Sequence, residues 1–349
     1  YRPGKPIAEV KREMGIREVV KLASNENPYG PSPLVLKAIQ SEAKSVNRYP
    51  DGSCCYLRKA LAQQLRVKEE QIIFGNGSDE IIVMVLRAFV GEGDEVIVAK
   101  PSFLIYEIAA KLEGAIVKSI PLKHFYYDLD KMAEAITRKT KVIFVGNPDN
   151  PAGTYIPARQ LKTFLSQIRR DILVVVDEAY YEYVMASDYP DTIKLLKIHP
   201  NLVVTRTFSK MYGLAGLRIG YGIARAQMID VLNRIRDPFN VNSLAQVAAL
   251  ACLKDRNYYR QIGMKVEDQR QFLYQSLAER GLTFVPSVTN FILINLKNQS
   301  THIVHELLKR GVIVRDMKFW GLPTFIRVTI GTEKENKKFI NALEELLSQ

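Results

Sequence analysis

The chain is predicted to fold as an α/β protein, a mostly parallel sheet sandwiched by helices, with a smaller α+β domain after it. Three observations carry this. Short Val- and Ile-rich runs alternate with amphipathic helical stretches from Asp51 to about Asp237, the pattern of strands buried on both faces. The segment PFNVNSLAQ then interrupts that rhythm, and the remainder reads as one or two long helices, strand, helix, strand, strand, helix. With 349 residues, 47% of them hydrophobic, the chain can also build two cores rather than one.

Up to Tyr49 the sequence reads mostly as an arm, with prolines at 3, 6, 28, 31 and 33 and one amphipathic helix at 34–43. Within it, SNENPYGPSP is dense in turn-forming residues and reads as an ordered loop. A helix is predicted at 53–65, a strand at 71–74, and a helix opened by GNGSDE that runs to Val90. Buried strands are predicted at 95–99, 115–120, 142–145, 172–176, 202–205 and 217–223. Beyond the break, helical sequence reaches Ala278, followed by strand 290–295, helix 302–309, strands 312–314 and 325–330, and helix 334–347. The expected organisation is an arm with part of the small domain at 1–49, a large α/β domain at 50–240, and an interdomain helix with the small α+β domain at 241–349.

A net charge of +12 and a pI near 9.4 suit an anionic partner, so nucleic acid has to be considered. The basic residues are nevertheless scattered among 37 acids, without zinc-finger spacing or a basic arm with heptads. The charge reads as a solubility property that also draws in phosphorylated substrates, an attraction weakened by salt. Cys54, Cys55 and Cys252 are an odd number and two are neighbours, which fits a reduced, cytoplasmic setting. No apolar segment reaches the roughly 20 residues needed to span a bilayer. Nothing at the start resembles a signal peptide, although the chain opens at Tyr1 without a methionine.

Polar clusters follow four of the strands: GNGSDE after Phe74, GNPDNPAG after Val145, DEAYYEY after Val176 and TFSK after Arg206. Strand ends of a parallel sheet converge on one side, so the clusters describe a pocket. Gly75, Gly77, Ser78 and Asp79 feed a helix N-terminus, which attracts an anion such as phosphate or is simply capped by Ser78 or Asp79. The loop matches neither the dinucleotide fingerprint nor the NTPase phosphate loop, and a small phosphorylated cofactor suits it better. Asp177 ends a buried strand, where an unpaired charge is costly and a cation should face it. A lysine, an arginine, a metal or a protonated cofactor ring would serve. A metal has least support, because His124, His199, His302 and His305 form no ligand set with Asp177. Lys210 stands in a nearly uncharged Gly-rich loop, either as a solvated lysine or as an amine held for covalent chemistry with a carbonyl.

The ordered set SNENPYGPSP, NRYPDG, GNGSDE, NPDNPAG, DEAYYEY, TFSKMYGLAGLRIGY, TNFILINL, GVIVRD and IRVTIGT resembles the pyridoxal phosphate-dependent aminotransferases of the aspartate aminotransferase fold, and within them the group acting on histidinol phosphate. The resemblance covers nearly the whole chain. It implies that Lys210 is the Schiff-base lysine and moves the substrate proton, and that Asp177 pairs with the pyridinium nitrogen. It implies that Asn150 and Tyr180 bond the ring's phenolic oxygen, while Phe103 stacks on the ring. Ser78, Asp79, Ser209 and Arg218 would hold the cofactor phosphate, Arg218 through a two-pronged grip. Tyr49 would reach the phosphate in the neighbouring subunit, making a homodimer necessary; by itself it also reads as a turn residue before Pro50. Arg327 and Arg315 would bind the anionic end of the substrate, with Asn27 and Asn290 nearby, although Arg315 also reads as a surface ion pair with Asp316. Asp149 and Ala152 depart from the family's usual asparagine and threonine.

The implied reaction transfers the amino group of L-histidinol phosphate to 2-oxoglutarate, giving imidazole acetol phosphate and L-glutamate, a step of histidine biosynthesis. The alternatives are an aromatic amino acid aminotransferase, a related phosphothreonine-type decarboxylase and, in another class, a nucleic-acid-binding protein with a vestigial cofactor pocket.

Overall fold

A computed structural model of the chain describes residues 5–297 and 300–348. Its strands are β1 (Val20–Leu22), β2 (Ile72–Gly75), β3 (Glu95–Lys100), β4 (Ile116–Pro121), β5 (Thr140–Gly146), β6 (Leu173–Asp177), β7 (Leu202–Thr207), β8 (Gly220–Ile223), β9 (Thr283–Val285), β10 (Phe291–Asn295), β11 (Val312–Asp316) and β12 (Phe325–Thr329). They form a seven-stranded sheet, ordered β2-β8-β7-β6-β5-β3-β4, and a five-stranded sheet, ordered β1-β11-β12-β10-β9. In the larger sheet β8 alone runs antiparallel to its neighbours β2 and β7, and the other pairings are parallel. The predicted fold class, a mostly parallel sheet covered by helices with a smaller α+β unit, is what forms.

The central strands are apolar along their length because both faces are covered. Val174, Val175 and Val176 of β6 are wholly buried, as are Val142 to Val145 of β5. Strand β8 is the exception in composition. A Cβ on Gly222 would lie 3.0 Å from Ile81, and one on Gly220 would lie 2.4 Å from the backbone nitrogen of Ser78. Glycine is required there so that the helix Ser78–Phe89 can lie against the strand with its N-terminus at the sheet edge.

Two expectations need correction. The first segment is more than an arm with one helix: Ile7–Met14 is helical, and β1 pairs in parallel with β11, Val20 opposite Val312. Val10 of that helix is buried with Ala23 and Ile313, which anchors the arm to the small sheet. The strand predicted at 217–223 begins only at Gly220, because Ala215–Leu217 is a 3-10 turn and Arg218 takes a left-handed conformation (φ 56°). The helical stretch after the break forms two helices, as the sequence allows, dividing at Asp255 into Ser243–Lys254 and Arg256–Glu279. In the small sheet β11 and β12 are antiparallel with Arg315 opposite Arg327, so two guanidinium groups leave the sheet side by side.

Candidate active site

Strands β2, β5, β6 and β7 point the same way, and the polar clusters at their ends meet around a cavity of about 250 Å³. The opposite wall comes from Ser24, Asn25 and Glu26 of the arm, and from Arg327 and Trp320 of the small-sheet region. A surface cleft of about 1130 Å³ between the helices Arg256–Glu279 and Glu333–Leu347 is larger. Its charges are largely paired with one another, as in Lys337 with Glu333 and Arg310 with Glu345, and it contains none of the predicted site residues.

Lys210 reaches the cavity from the turn after β7. Its Nζ donates to the Ser24 carbonyl at 3.2 Å and stands 5.8 Å from the centre of the Tyr180 ring. Burial, reinforced by the positive charge of Arg327, lowers its pKa to about 8. About a tenth of the amine is therefore unprotonated and nucleophilic at pH 7, far more than for an ordinary lysine.

Asp177 closes β6 and is 6% exposed. Burial raises its pKa to about 6, opposed by hydrogen bonds from Tyr106 Oη to Oδ2 (2.7 Å) and from Thr205 Oγ1 to Oδ1 (3.0 Å). Among the described residues it makes no ion pair, so the cavity presents a buried carboxylate suited to a cationic ring nitrogen. The neighbouring Glu178 faces away from the cavity into a buried ion pair with Arg206 at 2.8 Å, and Arg206 lies 3.6 Å from the Tyr181 ring centre. That pair holds the turn after β6 from behind.

The Tyr180 hydroxyl accepts from Asn25 Nδ2 at 2.8 Å and from Asn150 Nδ2 at 3.3 Å, and the Asn150 Oδ1 accepts from Arg327. Asp149, the departure noted in NPDNPAG, is fully buried. Its Oδ2 accepts from the Ala152 amide at 3.1 Å and its Oδ1 from Tyr127 at 3.2 Å, so it shapes the loop that carries Asn150. Burial pushes this carboxyl up to about 7.

The anion end is built from the N-terminus of the helix Ser78–Phe89 together with Ser209 and Arg218. Arg218 Nη2 lies 3.4 Å from Asp79 Oδ2, against Gly77 (φ 84°), where a Cβ would meet the guanidinium at 2.5 Å. The left-handed backbone at Gly77 and the absent side chain leave the helix's first amides open to a ligand. Phe103 lines the same cavity, edge-on to Tyr106 at 5.5 Å.

The remaining sequence-predicted residues stand elsewhere. Asn27 does not line the cavity: its Nδ2 donates to the Met211 carbonyl at 2.8 Å, tying the arm to the loop that carries Lys210. Asn290 is buried behind the arm and donates to the Asn25 carbonyl at 3.0 Å. Arg315 is also buried, donates from Nε to the Ala23 carbonyl and lies 5.9 Å from the Trp320 ring centre, so the surface-pair reading of it is wrong. Tyr49 is 84% exposed and stacks on Phe239 at 4.9 Å, outside the cavity. Sequence reasoning missed Asn25, Tyr106, Thr205 and Trp320. Thr205 was reachable as the register neighbour of Asp177 on β7. The others are brought in by tertiary packing.

Among the described residues no cluster of three His, Cys, Asp or Glu side chains suits a metal, and no helix is long and apolar enough to cross a membrane. Residues 17–343 match the model of the family described as aminotransferase class I and II. The histidinol-phosphate aminotransferase of Moorella thermoacetica is 47% identical over 349 residues, covering 100% of this chain and 90% of that protein. That of Brevibacillus brevis is 47% identical over 348 residues, with 100% and 96% covered. The crystal structure of histidinol-phosphate aminotransferase from Sinorhizobium meliloti in complex with pyridoxal-5'-phosphate superposes with a TM-score of 0.93 at 29% identity, over 99% of this chain and 95% of that one. An open lysine amine, a buried carboxylate and an anion cradle on a parallel sheet edge thus coincide with likeness along the full chain, which belongs to the class I and II aminotransferases, in the group of the histidinol-phosphate aminotransferases.

Proposed function

We propose that the protein is a pyridoxal phosphate-dependent transaminase that moves the amino group of L-histidinol phosphate to 2-oxoglutarate, in histidine biosynthesis. The observation that carries the reading is the meeting in one cavity of Lys210, with its amine held near pKa 8, and Asp177, buried without an ion pair. The cavity fits the cofactor at three points: an amine for its aldehyde, a carboxylate for its ring nitrogen and the start of the helix at Ser78 with Arg218 for its phosphate. Pyridoxal phosphate, when bound, supplies the aldehyde and the electron-withdrawing ring that amino-group exchange requires.

The chain's own groups divide the remaining work. Lys210 Nζ would hold the aldehyde carbon and, once displaced by the substrate amine, would pass a proton from the substrate carbon to the cofactor. Asp177, steadied by Tyr106 and Thr205, keeps the ring nitrogen protonated. Tyr180 Oη and Asn150 Nδ2 converge where a phenolic oxygen would sit. Phe103 packs on the ring face, and Ser78, Asp79, Ser209 and Arg218 grip the phosphate. Arg327, which lines the cavity, would receive the anionic end of either substrate with Arg315 opposite it on β11, and Asn27 and Asn290 hold the arm that covers it.

Assembly as a homodimer is part of the proposal. Tyr49 and Tyr56 are 84% and 78% exposed, with Leu36 and Val46 also in solvent, an apolar surface suited to a second copy whose cofactor Tyr49 would reach. Cys54, Cys55 and Cys252 form no disulfide, as suits a reducing cytoplasm. Steady-state rates decide the substrate. Histidinol phosphate should turn over faster than phenylalanine, and equal or better turnover of phenylalanine would transfer the assignment to aromatic amino acids. Borohydride should fix the cofactor to the peptide containing Lys210, and fixation elsewhere would remove the central assignment.

A further inference from the structure

Trp320 is the single tryptophan of the chain, and no motif drew attention to it. It ends the 3-10 turn Lys318–Trp320 between β11 and β12, the two strands that carry Arg315 and Arg327. The indole is 8% exposed and packs with Val285, Leu293 and Met317 of the small-sheet side. Its Nε1 donates to the Ser102 carbonyl at 3.1 Å, which fastens the turn to the residue before Phe103. Trp320 and Phe103 together form the partition between the main cavity and an adjoining one of about 280 Å³. The ring also lies 5.9 Å from the Arg315 guanidinium. An apolar plane, fixed by its hydrogen bond, thus stands at the cavity wall with Phe103 and Arg327 lining the same space and Arg315 against the indole.

We infer that Trp320 is a specificity-determining residue, the wall against which the flat heteroaromatic side chain of the amine substrate packs while its anionic end meets Arg315 and Arg327. The inference rests on the histidinol phosphate reading and deepens it. An indole face offers a planar imidazole stacking area, and the hydrogen bond to Ser102 fixes the plane before substrate arrives, so little conformational freedom is lost on binding. Glutamate uses the same arginines but has no ring. The wall therefore discriminates between the two amino donors and leaves the shared anion contacts alone.

The test uses the cofactor-loaded enzyme and the variants Trp320→Ala and Trp320→Phe. Trp320→Ala should raise KM for histidinol phosphate about tenfold while KM for glutamate stays within about twofold. Trp320→Phe, which keeps a ring, should stay within about threefold on both. A second measurement needs no variant and no turnover. In the enzyme loaded with pyridoxamine phosphate, which cannot exchange an amino group with an amine, histidinol phosphate should shield the lone indole from acrylamide quenching and glutamate should not. Equal KM changes for both donors, no change in either, or equal shielding would overturn the inference, and would do so with wild-type turnover of histidinol phosphate intact. Absence of that turnover in the wild type would overturn the substrate reading and the inference with it.

Discussion

Replacing Asp177 by asparagine should stabilise the cofactor-free protein while disabling the enzyme. The carboxylate is buried with hydroxyl and backbone-amide partners and, among the described residues, no ion pair, and its pKa rises from 3.8 to about 6. At 1.36 kcal/mol for each tenfold change in proton affinity, the ionised group costs the folded state about 3 kcal/mol above pH 6. The amide of the variant would keep one acceptor and oblige either Tyr106 or Thr205 to accept instead of donate, which returns about 1 kcal/mol of that gain. A net gain of about 2 kcal/mol is expected in urea unfolding at pH 8. The pH dependence is distinctive. Between the unfolded value near 3.8 and the folded value of about 6 the native state binds more protons than the unfolded one, so wild-type stability falls as pH rises through that window. The advantage of the variant should vanish at low pH, grow between those values and stay constant above. With pyridoxal phosphate present the order should reverse, because a bound pyridinium compensates the carboxylate only in the wild type, and turnover of the variant should fall at least about 100-fold. Equal stability of the two cofactor-free proteins at pH 8, or a gain independent of pH, would refute the claim that Asp177 stands as an uncompensated buried charge.

The lowered pKa of Lys210 predicts that capture of pyridoxal phosphate by the cofactor-free protein, followed by its absorbance, accelerates with pH and is half-maximal near 8; a half-point close to 10.5 would mean a solvated lysine. By the same linkage the unfolded chain binds more protons at this site between pH 8 and 10.5, so Lys210 adds stability as pH rises across that range, and Lys210→Met should flatten that part of the profile. Glu178→Gln leaves Arg206 charged and buried without its carboxylate, and should cost about 3–5 kcal/mol in urea unfolding; a loss below about 1 kcal/mol would show that Tyr181 and solvent suffice to hold the guanidinium. Gly220→Ala sets a Cβ 2.4 Å from the Ser78 nitrogen, against backbone that cannot move alone. It should weaken pyridoxal phosphate binding about tenfold by equilibrium dialysis, and unchanged affinity would separate the phosphate from this helix end.

The elements read correctly from sequence share a physical cause. Strands buried on both faces must be apolar throughout, and helices laid against them must be amphipathic, so β5, β6 and β7 with their helices declare themselves locally. Strands β1 and β9 have three residues each, too few for a period, and exist because of partners far along the chain: Val20 beside Val312, Leu293 beside Val285. The site divides in the same way. Lys210, Asp177 and Asn150 are legible because polar groups directly after apolar strands have few other reasons to be there. The choice between Asn25 and Asn27 was not legible. Both lie in one loop, and only the left-handed backbone at Asn25 (φ 56°) sends its amide to Tyr180 while Asn27 turns to Met211.

Tyr106, Thr205 and Trp320 are a further step removed, since each acts through its contact with another group. Tyr106 and Thr205 matter because they donate to Asp177, and Trp320 because it bonds Ser102 and stands against Arg315. Residues that perform chemistry in this fold are marked by position along the chain. Residues that tune it are marked only by register and by the meeting of the two sheets. In this chain amino-group exchange therefore rests on the strand ends, while discrimination rests on side chains such as Trp320 that reach the cavity from the other sheet.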